Sequence, residues 1–192
     1  MIITFIILAI IVFYIIFAYN SAVSAKETVV NSYKRIGVQL DARGKTIDSL
    51  VNLTNKYEIH ERDIFLKLAE LRASSNSATN IKDKKHAEEE IDKIVNSGNF
   101  NMIFENYPQL KMDGIIMKNQ EAIQSEEQKL MYAKSAYNNS LEDFRVMLDK
   151  FPNNIVMSLF GSKFRNVLNE YEYWTLNETQ RKEQEEKRMS FN

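Results

Sequence analysis

The chain has 192 residues, which is enough for one domain or for one domain with an appendage. Its 25 Lys and Arg nearly balance 26 Asp and Glu, so the formal charge of −1 gives no basic footprint for a nucleic-acid partner. The absence of cysteine excludes disulfides and thiol chemistry, and five Gly with two Pro favour long helices over a sheet fold with many turns.

The chain begins with an apolar run, residues 2–18, that contains no charge, amide or proline. A bilayer span needs about 17–25 such residues, and Met1 and Tyr19 lengthen this run. We therefore predict a transmembrane anchor at 1–19, with residues 2–19 in contact with the lipid bilayer. The alternative is a signal peptide cleaved near Ala25, which would leave a secreted or peripheral helical binding module. A retained anchor is favoured because no basic residue precedes the run, and because the run is longer than the usual apolar core of a signal peptide, about 7–15 residues.

The charges that flank the anchor predict its orientation. Lys26, Lys34 and Arg35 follow the apolar run, whereas nothing basic precedes it. Basic residues are enriched in the cytoplasmic flanks of membrane spans. We therefore expect a single-pass protein of the cell membrane with its N-terminus outside and its C-terminal domain in the cytoplasm.

The residues after the anchor have a helical pattern. From Val29 to Leu71, apolar residues recur at an alternating spacing of four and three, which is typical of the seam between packed helices. A similar register runs from Ile116 to Phe151, and Pro152 ends it. The predicted helices, in chain order, are 21–72, 82–96, 109–150 and 154–160.

These elements predict an all-α protein in which a transmembrane helix precedes a bundle of long helices. The bundle covers 20–174, and a charged tail covers 175–192. The two long helices are expected to pack antiparallel. Matching their ends would bring Phe151 and Pro152 close to Val29.

Polar residues interrupt both apolar seams. In the second long helix they recur every seven residues, which is the spacing of a single helix face. We interpret them as buried polar contacts that set helix register, and a partner-binding stripe is the alternative. The candidate polar seam consists of Arg43, His60, Glu61, Gln120, Glu127, Lys134 and Asn138.

Patterns typical of metal sites and enzymes are incomplete in this sequence. His60-Glu61 begins a zinc-protease motif, but position 64 is Ile where the second His belongs. Asp83 and His86 share a helix face, which is more typical of a solvated surface than of a metal site. The sequence therefore predicts neither an enzyme nor a cofactor or metal ion.

An apolar and aromatic segment follows Pro152. Residues 155–160 are too short to span a bilayer and more apolar than a surface helix usually is. We predict either a patch that rests on the membrane or on a protein partner, or a cap over the bundle core. The candidate patch residues are Ile155, Leu159, Phe160, Phe164 and Trp174.

Several short motifs follow the apolar run, among them Tyr19-Asn20, Val38-Gln39-Leu40 and Glu105-Asn106-Tyr107-Pro108. Through these motifs the sequence resembles the LemA family of bacterial membrane-anchored helical proteins. The resemblance runs from Tyr19 to about Phe164, and Gly37 departs from it where an acidic residue is usual. It implies an N-terminal membrane helix with its N-terminus outside, a helical-bundle body and no assigned catalytic residue. We therefore expect a non-enzymatic membrane-anchored scaffold or interaction protein, with protein partners and self-association left open. The most specific matching motif is Glu105, Asn106, Tyr107 and Pro108.

Overall fold

The computed structural model describes residues 1–56, 62–97, 114–160 and 162–174. Every regular element in these ranges is a helix, which confirms the predicted all-α class. The described residues fall into two compact units, one from Met1–Arg35 with Lys134–Trp174 and one between Ile36 and Ala133. The helices are α1 (Ile2–Lys56), α2 (Arg62–Ser77), α3 (Ile81–Val95), α4 (Gly114–Asp149), α5 (Asn153–Leu159) and α6 (Arg165–Glu170).

The predicted seam on the first long helix is confirmed where the structure describes it. α1 continues without a break from the apolar run into the body of the protein. Tyr33 of this seam is half-buried, and the other apolar seam side chains of α1 are at most 4% exposed, because the alternating spacing keeps them on one face of the helix. These residues are Val29, Ile36, Leu40, Ile47 and Leu50.

The prediction of one helix over 21–72 is wrong. α1 ends at Lys56, α2 begins at Arg62, and residues 57–61 lie outside the described ranges. Arg72 Nε donates to both carboxylate oxygens of Asp48 at 2.8 and 2.9 Å. In one straight helix, residues 24 apart would be separated by about 36 Å. α2 therefore folds back along α1, and the sequence spacing missed this because an apolar stripe fits a helical hairpin as well as a single helix.

A glycine permits the close approach of α2 to α1. A Cβ atom at Gly44 would lie 1.4 Å from Nη1 of Arg72, so the missing side chain leaves the space that this guanidinium fills. α2 also packs against α3. Four helices supply the apolar core of this unit, which consists of Ile47, Leu50, Phe65, Leu68, Ile91, Val95 and Ile123.

The predicted short helix at 82–96 corresponds to α3. Asn80 caps its N-terminus by accepting a hydrogen bond from the backbone N–H of Asp83 at 2.8 Å. The second predicted long helix corresponds to α4, although residues 109–113 lie outside the described ranges. In the same unit, Asn119 of α4 donates to Ser49 of α1 at 3.2 Å.

In the first unit, α1 and the end of α4 run antiparallel, as predicted, but the predicted register is wrong. The Tyr14 hydroxyl donates to Asn153 Oδ1 at 2.6 Å, and the rings of Tyr33 and Tyr137 are 5.8 Å apart. Residues near 151 therefore lie beside Tyr14 instead of Val29, which is a shift of about four helical turns. A prediction that only aligns the ends of the two helices cannot detect this shift, because side-chain contacts between the helices determine their register.

The end of α4 also differs from the prediction. α4 ends at Asp149, and Phe151 is 75% exposed although its spacing placed it on the buried seam. α5 corresponds to the predicted helix at 154–160, and α6 adds a short helix that the sequence did not predict. The predicted charged tail at 175–192 lies outside the described residues.

Candidate functional site

The second unit contains a buried charge cluster centred on Arg43. Its side chain is only 1% exposed, and its guanidinium donates to Glu88 and Asp92 of α3 and, at 2.6 Å, to Glu127 of α4. Ser75 of α2 donates to the other carboxylate oxygen of Glu88. We call these residues, Arg43, Ser75, Glu88, Asp92 and Glu127, the Arg43 cluster. Side chains from α1, α3 and α4 therefore meet at one guanidinium, and α2 joins them through the hydrogen bond of Ser75 to Glu88.

The electrostatics of the Arg43 cluster keep the guanidinium charged. Burial alone would lower the pKa of Arg43, but the charges of Asp92, Glu127 and Glu88 outweigh it, so its pKa is raised. A buried cation needs compensation of this kind, since a charge removed from water without a partner is costly. The cluster is therefore a cross-link between helices that depends on Arg43.

We expect the acids of the Arg43 cluster to contribute unequally to stability. Glu88→Ala removes partners from both Arg43 and Ser75 at a buried position, and a cost of about 1–3 kcal/mol is expected in urea unfolding. Glu127→Ala should cost less, because Arg43 keeps Glu88 and Asp92, and Glu127→Leu should be neutral or stabilising. Equal losses for Glu88→Ala and Glu127→Ala would contradict this ranking.

The first unit contains an aromatic cluster that encloses a buried lysine. Trp174 is 2% exposed, and Lys134 Nζ lies 5.6 Å from the centroid of its ring. The Tyr33 ring packs 5.7 Å from Tyr171 and 6.5 Å from Trp174. The Tyr137 hydroxyl donates to the backbone carbonyl of residue 172 at 2.9 Å. This aromatic cluster joins α1, α4 and the segment after α6.

Burial raises the pKa values of two tyrosines in the aromatic cluster. Desolvation raises the pKa of Tyr33, and the charge of Tyr171 adds to the effect. Desolvation also raises the pKa of Tyr137, with the charge of Tyr33 as the next cause. Both hydroxyls therefore stay protonated in the folded unit at a pH where unfolded tyrosine ionises.

The amide side chain of Asn138 holds the chain at Trp174. Asn138 Oδ1 accepts from the Trp174 backbone N–H, and Asn138 Nδ2 donates to the Trp174 backbone carbonyl, both at 2.8 Å. This pair satisfies two main-chain groups in a segment that has no helical hydrogen bonds of its own. Asn138 therefore positions Trp174 over Lys134.

The predicted patch at 155–174 divides into buried and exposed residues. Phe164 and Trp174 are each 2% exposed, which agrees with the predicted core cap for these two side chains. Phe160 is half-buried, and its ring lies 4.9 Å from that of Tyr19. Ile155 and Leu159 are 57% and 68% exposed, so they remain available to another surface.

The remaining candidate residues fall outside the described side chains. His60 and Glu61 lie in the undescribed range, as does the motif Glu105, Asn106, Tyr107 and Pro108. Gln120 lies in α4, but its side chain is not among those described. In the described part of the chain, no group of three His, Cys, Asp or Glu side chains is arranged to hold a metal ion.

Two acids of the Arg43 cluster, both in the helix predicted at 82–96, were missed by sequence reasoning. Glu88 and Asp92 are four residues apart on α3, next to the buried Ile91 and Val95. Their proximity to the apolar stripe is the signal that could have identified them, since acids beside such a stripe are candidates for burial.

The family model of the LemA family matches residues 32–187. That range is most of the chain, and the chain therefore belongs to the LemA family. It includes all five residues of the Arg43 cluster and the described aromatic cluster. A comparison with curated protein sequences finds no match.

Proposed function

We propose that this LemA-family protein is a single-pass membrane protein and that α1 anchors a non-enzymatic helical scaffold at the cytoplasmic face of the membrane. The observation that carries the proposal is the exposed apolar surface at the start of α1. An 18-residue window of α1 has a mean hydropathy of 2.9, and only 6% of it is buried. A helix of this length and composition is a candidate membrane span.

Contacts of the anchor with the body support its retention. A signal sequence would meet the same length and hydropathy criterion, so these contacts are a second observation in favour of an anchor. Ala18 and Ala22 are at most 1% exposed, and Tyr19 packs its ring against Phe160 and Phe164. Cleavage near Ala25 would remove these side chains and uncover the apolar surface of Phe164, which favours a chain that keeps its first residues.

The paired charges of the second unit support a scaffold role. The carboxylates of the Arg43 cluster bind a guanidinium, and they link helices to one another. Such a cluster rigidifies a bundle and fixes its register. A rigid bundle at a membrane can present its outer faces to protein partners.

Lysine substitution in the apolar run tests the anchor. We expect Leu8→Lys/Ile11→Lys to move the protein from the carbonate-washed membrane pellet to the soluble fraction, since each lysine costs about 2.5–3.5 kcal/mol at the centre of a span. Val38→Lys is the matched control, because Val38 is an exposed apolar residue of α1 outside the run, and it should leave the protein in the pellet. Mass spectrometry of the membrane-bound form should find an intact N-terminus, whereas a chain that begins at Lys26 would contradict the anchor.

Thiol labelling tests the orientation. Because the chain has no cysteine, Lys82→Cys provides a single exposed thiol in the body. In intact cells a membrane-impermeant maleimide should label this variant only after permeabilisation, because the basic residues after the run favour a cytoplasmic body. A cysteine added before Met1 should be labelled without permeabilisation, and the reverse pattern would overturn the orientation.

A further inference from the structure

The short helix α5 lies beside the last turns of the apolar run. Tyr14, which belongs to the run, donates to Asn153 at the start of α5 at 2.6 Å. At the other end of α5, the ring of Phe160 lies 4.9 Å from that of Tyr19. α5 therefore runs alongside the segment of α1 between these two tyrosines.

The outer face of α5 carries exposed apolar side chains. Phe151, Ile155 and Leu159 follow one another at intervals of four residues and are 75%, 57% and 68% exposed. The opposite face packs inward through Val156 and Met157, which are at most 6% exposed. Ile155 and Leu159 are spaced by four residues and therefore lie on one side of α5, while Phe151 is exposed in the turn before the helix. We call Phe151, Ile155 and Leu159 the α5 ridge.

The side chains of Ser158 and Asn153 next to the α5 ridge have partners within the protein, and the exposed Asn154 accepts from the backbone N–H of Ile155 at 2.8 Å through its Oδ1. The Ser158 hydroxyl donates to the backbone carbonyl of Ile155 at 2.6 Å, although its side chain is exposed. Asn153 accepts from Tyr14 and donates to the backbone carbonyl of Met147 at 3.3 Å. A surface that contacts lipid requires this internal pairing, because the bilayer core supplies no hydrogen-bond partner.

The position of α5 along α1 sets its depth in a membrane. The 17 residues at 2–18 span about 25 Å as a helix, somewhat less than a hydrocarbon core of about 30 Å. If this run crosses the bilayer, its last turns must lie at the inner boundary of the acyl chains. Asn153 is held at Tyr14, about 7.5 Å before Tyr19 along the helix. The α5 ridge thus lies at the level of the acyl-chain boundary.

We propose that α5 is inserted in the inner leaflet of the bilayer, with the α5 ridge in contact with acyl chains beside the anchor. On the neighbouring stretch of α1, the apolar residues Phe13 and Phe17 are also 74% and 70% exposed. This inference rests on the proposed membrane anchor, and it adds a second lipid-binding element to it.

A basic residue at the Tyr19 end of α5 matches this placement. Lys163 follows the helix and is exposed. Lys163 donates to the Tyr19 hydroxyl at 2.6 Å, and its ammonium lies 5.0 Å from the centroid of that ring. Tyrosine and lysine are enriched at the headgroup level, where lysine is attracted to anionic lipids.

Single cysteines in the full-length protein test the insertion. Leu159→Cys is compared with Phe13→Cys in the apolar run and with Ser162→Cys, an exposed position three residues after the ridge. Each variant is reconstituted in vesicles of phosphatidylcholine and phosphatidylglycerol and labelled with a polarity-sensitive fluorophore. Quenching by doxyl-labelled lipids is then measured. In unlabelled samples, the rate of reaction with a water-soluble maleimide is measured.

We expect Leu159→Cys and Phe13→Cys to be quenched by the doxyl lipids and Ser162→Cys to remain unquenched. The maleimide should react with Leu159→Cys at least about tenfold more slowly than with Ser162→Cys, which corresponds to about 1.4 kcal/mol of preference for lipid. Emission of Trp174, the single tryptophan of the chain, verifies that each variant keeps the fold of the first unit.

The other outcomes separate the inference from the proposed function. If Phe13→Cys is quenched while Leu159→Cys reacts with maleimide as fast as Ser162→Cys does, the membrane anchor is supported and the insertion of α5 is overturned. If Leu159→Cys is protected from maleimide but is not quenched by lipid, a protein surface such as a second copy covers the ridge, and the insertion is again overturned. If Phe13→Cys is not quenched, the membrane anchor itself fails.

Discussion

Replacing Arg43 with alanine is expected to destabilise the second unit by about 3–5 kcal/mol, the usual cost of breaking a buried ion pair by removing one partner. The loss is large because Glu88 and Asp92 would remain close together with Glu127 and without their shared cation. Arg43→Lys should recover only part of the loss, since an ammonium cannot reproduce the fork geometry of a guanidinium. Urea unfolding in detergent micelles, followed by circular dichroism, measures both variants.

Two controls separate the Arg43 cluster from a general loss of charge. Lys45→Ala removes an exposed ion pair with Asp41 on the same helix and should leave the unfolding midpoint nearly unchanged. Adding Glu88→Gln to Arg43→Ala should restore part of the lost stability, because the buried site then carries one negative charge less. A value for Arg43→Ala no larger than that for Lys45→Ala would show that the cluster contributes little to stability.

The seam pattern explains why the sequence predicted much of this fold. A spacing of four and three identifies which face of a helix is buried, and both Arg43 and Lys134 were assigned to seams on that basis. Both side chains are at most 1% exposed. The pattern does not identify the helix that covers this face, since any apolar stripe packs equally well against several others. The fold-back of α2 and the register of α1 against α4 therefore required the structure.

The candidate sites were predicted only in part for a related reason. Glu127 was interpreted as a polar contact of the seam, and Arg43 donates to it at 2.6 Å. Glu88 and Asp92 belong to a helix rich in both charge signs, so their type alone does not distinguish them from their neighbours. The depth of α5 depends on the contact between Tyr14 and Asn153, which are 139 residues apart, and no local pattern encodes such a contact.

Replacing Trp174 with alanine is expected to destabilise the first unit by about 3–5 kcal/mol, which is typical for truncation of a buried Trp or Phe. The indole is 2% exposed, packs against Tyr33 and covers the ammonium of Lys134. Truncation would therefore leave a cavity beside a buried cation and remove the cation–π contact. Thermal unfolding in micelles measures the loss, and hydrogen exchange in α4 and α6 assigns it to this unit.

A conservative variant separates the two contributions of Trp174. Trp174→Phe retains most of the packed area and a π face for Lys134, and it removes an indole N–H that has no hydrogen-bond partner among the described residues. It should therefore cost clearly less than Trp174→Ala. Val146→Ala, at a position of α4 that is 47% exposed, is the control for loss of an apolar side chain and should have little effect. If Trp174→Ala is as mild as Val146→Ala, the aromatic cluster does not hold α1, α4 and the segment after α6 together, and the contacts from α5 to Tyr14 and Tyr19 must stabilise the first unit instead.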